Sequence, residues 1–61
     1  MIKNEWLDFA INNKYNYILI LKDLEDKEIY PVYFLSELEM LKYKENIISE
    51  SKVKVMTYFK V

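Results

Sequence analysis

Neither cysteine nor histidine occurs among the 61 residues of this chain. A domain this short lies near the lower limit for folding alone and buries only about 60% of the surface that its unfolded chain exposes. Disulfides are excluded, and without thiolate or imidazole an ordinary zinc or copper site lacks its ligands. Small scaffolds with no such staple depend on an unusually dense core or on a partner subunit. The composition suits both, since 52% of residues are hydrophobic and 16% aromatic. So much apolar surface is hard to hide within one subunit, and we expect a homodimer.

The same absences limit the chemistry. Histidine is the commonest general base and cysteine the best thiol nucleophile. The serines, Ser36, Ser49 and Ser51, have no imidazole to activate them. Carboxylate pairs can do acid–base work, but the acids here read as solvated faces, and so small a domain does not enclose a deep pocket. The expectation is a binding protein, not an enzyme, with no cofactor and no metal. The run Asp23 to Glu28 lacks the spacing of an EF-hand loop, and Lys27 intrudes on it.

Nine lysines against ten acids give a net charge of −1. Nucleic-acid binding normally shows as a basic patch, so direct contact with nucleic acid is not expected. Aromatic strands can be stacking platforms for single-stranded nucleic acid; with this charge they fit a core better. The longest apolar stretch, Tyr17 to Leu21, is too short to span a membrane. Lys3, Glu5 and Asp8 do not fit a signal peptide. A soluble, cytoplasmic protein with no membrane partner is expected. The plentiful Lys, Ile, Asn, Tyr and Glu, with no Arg or Gly, resemble the usage of AT-rich genomes, including many phages; for a phage protein the compartment is the host cytoplasm.

The pattern predicts one α+β domain over residues 1–61. In segment 1–13, Ile2, Trp6, Phe9 and Ala10 have helix-like spacing, giving a short helix or turn with Trp6 and Phe9 as an anchor on the sheet or, alternatively, an exposed contact surface. Residues 15–22 form the clearest strand, with Tyr15, Tyr17, Leu19 and Leu21 on one face and Ile18 and Ile20 on the other. Both faces are apolar, and one short helix covers only one, so a partner subunit is expected on the second. A turn without glycine follows, in which Asp23 or Asp26 bonds the backbone. The second strand, 27–34, contains Pro31 and belongs at an edge or a bulge.

Leu35-Ser36-Glu37-Leu38-Glu39-Met40 reads as a helix start, with Ser36 as N-cap, Glu39 closing a capping box and a staple from Leu35 to Met40. The helix is expected over 37–45, with Asn46 as terminator. Leu38, Leu41 and Glu45 share one face; Met40, Tyr43 and Lys44 share the adjoining one. Ile47 to Ser51 is a connector with both isoleucines turned inward. Strand 52–61 alternates strictly, with Val53, Val55, Thr57, Phe59 and Val61 on one buried face. The result is a three-stranded antiparallel sheet with one helix between strands 2 and 3, in the order β-β-α-β.

The acids cluster around the hairpin (Asp23, Glu25, Asp26, Glu28) and at the helix start (Glu37, Glu39). Turn chemistry and capping account for all of them. A negative patch that meets a basic protein surface is the functional alternative.

The stretch from Tyr15 to Val61, and Leu35-Ser36-Glu37-Leu38-Glu39-Met40-Leu41 above all, resembles the very small uracil-DNA glycosylase inhibitors of certain Bacillus phages. That family has Leu-Ser, an acid, a large apolar residue, Glu and two aliphatics in the same run. The resemblance implies a homodimer whose two helices border an apolar pocket for the DNA-intercalating leucine of the host enzyme, with acids standing in for DNA phosphates. It implies that Leu38 takes the place of a critical aromatic and Glu39 that of the adjacent carboxylate. The family's tyrosine falls at Lys42, with Tyr43 beside it. Glu37 and Glu28 complete the expected partner-binding set. Leu38 is smaller than the family's aromatic, and Pro31 stands where the family has an acid. A different phage inhibitor (anti-CRISPR or anti-restriction) and a small structural or assembly subunit are the competing expectations.

Overall fold

A computed structural model describes residues 3–49 and 52–61. The elements follow in the order α1 (Asn4–Asn12), β1 (Tyr17–Asp23), β2 (Ile29–Phe34), α2 (Glu37–Ile48) and β3 (Val53–Lys60). The strands make one antiparallel sheet in the order β2-β1-β3. The protein is therefore α+β, with the expected β-β-α-β core and a helix before it.

β1 is central because its side chains are apolar on both faces. Leu19 and Leu21 are buried with Met40 and Ile47 of α2, while Ile18 and Ile20 are buried with Ala10 of α1. Fully burying each such side chain contributes about 1.5–3 kcal/mol. The expectation that a partner subunit covers the Ile18/Ile20 face is corrected: α1 covers it, with Trp6 and Leu7 packed against those isoleucines. Phe9 packs on the edge of the sheet, half-exposed against Tyr33 of β2 with ring centroids 4.7 Å apart. Ile2, also assigned to this segment, lies outside the described residues.

Chain reversals without glycine explain several shifted boundaries. α1 ends in a Schellman motif, with Tyr15 N–H donating to Ala10 C=O at 2.8 Å and Lys14 N–H to Ile11 C=O at 3.2 Å. Lys14 occupies the left-handed position with φ 62°, which costs an L-residue about 1–2 kcal/mol. This reversal carries Tyr15 onto the α1 side, so it does not share a face with Tyr17 and Leu19 as expected. In the hairpin, Asp23 Oδ1 accepts from the amides of Glu25 (2.8 Å) and Asp26 (3.3 Å), as expected for Asp23. Lys27 turns left-handed, φ 60°, and β2 begins only at Ile29. β2 is an edge strand, where Pro31, with no N–H to donate, is tolerated.

α2 runs one turn further than expected. Asn46 does not stop it, because continuing the helix adds the buried Ile47 to the stripe formed by Met40, Tyr43 and Lys44. Ile48, expected to turn inward, is 64% exposed instead. The remainder of that connector, 50–51, lies outside the described residues.

β3 holds the largest departure. Its odd-numbered residues are the more buried ones, as the alternation predicts, but they do not share one face. Ile20 pairs with Thr57 whereas Leu21 pairs with Val55, so Met56 is an extra residue at a β-bulge. Val53 and Val55 thus join the α2-side core and Phe59 the α1-side core. One strand serves both faces.

Candidate protein-binding surface on the second helix

The start of α2 is fixed by a small set of hydrogen bonds. Ser36 Oγ accepts from Glu39 N–H at 3.2 Å, the N-cap bond that the sequence predicts. Asn16 Nδ2 donates to Leu35 C=O at 2.8 Å, and Asn16 C=O accepts from Val61 N–H at 2.8 Å. Asn16 thereby ties the chain entering α2 to the beginning of β1 and the end of β3. Tyr17 Oη lies 3.4 Å from Glu37 Oε2, to which it donates. The expected staple does not form as a buried pair: Met40 is fully buried against the sheet, while Leu35 remains exposed.

Along α2 the side chains divide into two apolar stripes. Met40, Tyr43 and Ile47 face the sheet, with Tyr43 tilted on Phe34 at 5.3 Å. Leu38, Leu41 and Ile48 form a second stripe, about 120° around the helix at 3.6 residues per turn, and all three are exposed, Leu38 by 63%. Three large aliphatics at helical spacing that the fold leaves in water are an unusual surface for so small a domain.

Of the residues expected to bind a partner, Glu37, Leu38, Glu39 and Lys42 come together on the exposed surface of α2's first turns. Glu37 and Glu39 stand at the positive end of the helix dipole, which favours carboxylates there. Tyr43 is turned into the core instead, half-buried on Phe34. Glu28 is not part of this group. It precedes β2 while Glu37 follows it, and a six-residue strand spans about 20 Å. Glu28 instead lines a groove on the α1 face. The sequence reading missed Asn16, a lone polar residue between two tyrosines, because nothing local shows which distant carbonyl it reaches. It also missed Ile48, whose spacing from Leu38 and Leu41 is the signal that places it on the outer stripe.

No cluster of acids suited to a metal ion occurs among the described residues, and no helix among them is long and apolar enough to cross a membrane. Tyr33, on the α1 side, has a perturbed titration: partial burial raises its pKa, and the negative charge of Glu5 adds to this. No protein-family profile, curated protein sequence or solved structure matches the chain.

Proposed function

We propose that this protein is a stoichiometric inhibitor of uracil-DNA glycosylase that occupies the enzyme's DNA-binding groove as a DNA mimic, acting as a homodimer joined through α2. The observation that carries this reading is Leu38, 63% exposed on a firmly capped helix start and flanked by Glu37 and Glu39. The helix dipole favours both carboxylates and the Tyr17 hydroxyl bonds Glu37, but the fold leaves Leu38 in water between them, an arrangement of one apolar side chain between two acids. It suits a target that offers an aliphatic side chain inside a ring of basic or donor groups. The apolar stripes of two copies supply the pocket, and Glu37 and Glu39 supply steering and specificity. α1 packs on the other sheet face, and the exposed Leu38, Leu41 and Ile48 of α2 offer an apolar surface for a second subunit.

The test is a uracil-excision assay with a purified bacterial uracil-DNA glycosylase, titrated with this protein. Full inhibition near one dimer per enzyme is expected. Leu38→Ala removes a contact of about 1.5–3 kcal/mol if it is fully buried in the complex, a loss of roughly ten- to a hundredfold in affinity. Because Leu38 is exposed in the single subunit, the same change should alter the subunit's own folding stability by only about 0.5 kcal/mol. Glu39→Ala should weaken inhibition in the same sense. No inhibition at large excess removes the reading for that enzyme. The exposed stripe of Leu38, Leu41 and Ile48 also suits a small assembly subunit, and sedimentation separates the two: a species larger than a dimer favours assembly.

A further inference from the structure

α1 is too short for the sheet it covers. Nine helical residues span about 13 Å, whereas the seven residues of β1 span about 23 Å. Because α1 ends beside the start of β1, where Tyr15 bonds back to Ala10, its N-terminus stops part-way along the sheet. Beyond it lies an open groove of about 880 Å³. Trp6, Ile20, Ile29 and Phe59 give the groove an apolar lining, and its charged lining consists of Lys3, Lys27 and Glu28.

The groove's charged lining has an excess of one positive charge, two lysines against Glu28. Lys3 lies over the Trp6 ring, 5.2 Å from its centroid, and neither Lys3 nor Lys27 is ion-paired with a described residue. The next row of the same sheet face places Lys22 directly across from Lys54, a like-charge pairing that destabilises a sheet when nothing lies between. Two of the nearby turn acids are engaged elsewhere: Asp23 Oδ1 accepts the turn amides, and Glu25 lies 3.9 Å from Lys52. The first turn of α1 has no side-chain cap, and Glu5 within it offsets part of its positive end. A flat apolar lining with an excess of positive charge is complementary to an organic anion with a ring body and one acidic group.

We propose that this groove binds a small aromatic anion, its ring against Trp6 and Phe59 and its acidic group held by Lys3 and Lys27. The site lies on the opposite sheet face from α2 and does not depend on the function proposed for that helix. Trp6 is the single tryptophan of the chain, so its emission reports on the groove directly. The probe is 1-anilinonaphthalene-8-sulfonate, compared with uncharged N-phenyl-1-naphthylamine, which has the same rings. One sulfonate per chain should bind with energy transfer from Trp6, at least about tenfold more tightly than the neutral compound, since hydrogen bonds to charged groups are worth about 1.5–3 kcal/mol. The double variant Lys3→Met, Lys27→Asn removes both charges and keeps a residue that tolerates the left-handed position at 27. It should weaken the anion at least about tenfold and leave the neutral compound's affinity unchanged. The proposal is overturned if both compounds bind the native protein equally, if the variant weakens both alike, or if the sulfonate binds without energy transfer from Trp6.

Discussion

Ala10→Asp puts the docking of α1 to a direct test. Ala10 is fully buried between α1 and the Ile18/Ile20 face of the sheet, so a carboxylate there has no route to water. Two costs add. Aspartate is a poorer helix former than alanine by about 0.5–0.7 kcal/mol. The buried carboxyl must then lose hydration as an ion, or hold its proton at pH 7; moving its pKa from about 3.9 to above 7 costs about 4 kcal/mol. Against the roughly 3–9 kcal/mol that holds a domain of this size together, the change removes most or all of its stability. Ile11→Asp is the control, one residue further along the same helix but 55% exposed; it should cost less than about 1 kcal/mol. Urea denaturation followed by circular dichroism measures both. The buried acid's folded-state pKa is raised, so its penalty is present above about pH 3.9 and fades as the pH falls below it. Equal midpoints for the two variants at neutral pH would refute the reasoning. α1 would then not be docked, and the Ile18/Ile20 face would need another cover.

Three further outcomes rest on single contacts. Ser36→Ala removes the acceptor of the Glu39 amide and should lower stability by about 1 kcal/mol in the same titration, while Ser49→Ala at the other end of α2 should matter less. Tyr33 has a raised pKa in the folded state, from burial and then from Glu5. Its contribution is therefore fully present below its ordinary value of 10.0 and is lost as the pH rises through the folded-state pKa; denaturation midpoints taken on either side of that value should fall less for Tyr33→Phe than for the native chain. Deleting Met56 removes the extra residue of the bulge and sets Val55 next to Thr57, so plain alternation keeps Val53 and Val55 on the α2 side and Phe59 on the α1 side; the shortened chain should still fold by circular dichroism. Met56→Ala, which keeps the bulge, should cost less than about 1 kcal/mol because the side chain is half-exposed.

Features fixed by local chemistry were legible from the sequence. The two-sided apolar run of β1, the Ser36 cap, the Asp23 turn and the edge position of Pro31 each follow from a few adjacent residues. Features decided by pairing at a distance were not. Strict alternation in 53–61 gives no sign of the bulge, because one extra residue at Met56 leaves every odd position the more buried one while changing the side to which it is buried. The left-handed lysines at 14 and 27 carry no glycine signature; only the surrounding hydrogen bonds hold them there. At the site, Leu38 and the carboxylates beside it were legible because helix spacing and capping place them on the outside. Glu28 was misplaced because closeness in composition was taken for closeness in space, and the length of β2 separates the two.

That separation changes how the net charge of −1 is to be understood. The carboxylates at the start of α2 and the lysines around the α1 groove lie about 20 Å apart along β2, on opposite faces of the sheet. At physiological ionic strength charges are screened over about 8 Å. A partner approaching α2 therefore meets Glu37 and Glu39, with Lys42 one turn on, and feels little of Lys3, Lys22, Lys27 or Lys54. Near-neutrality of the whole chain is thus a weak argument against an acidic binding face, just as it is a weak argument against an anion site. What decides each is the local sign, and the two surfaces have opposite signs. Added salt should then weaken an encounter at α2 with a basic target and the binding of a sulfonate in the groove independently, each through its own charges.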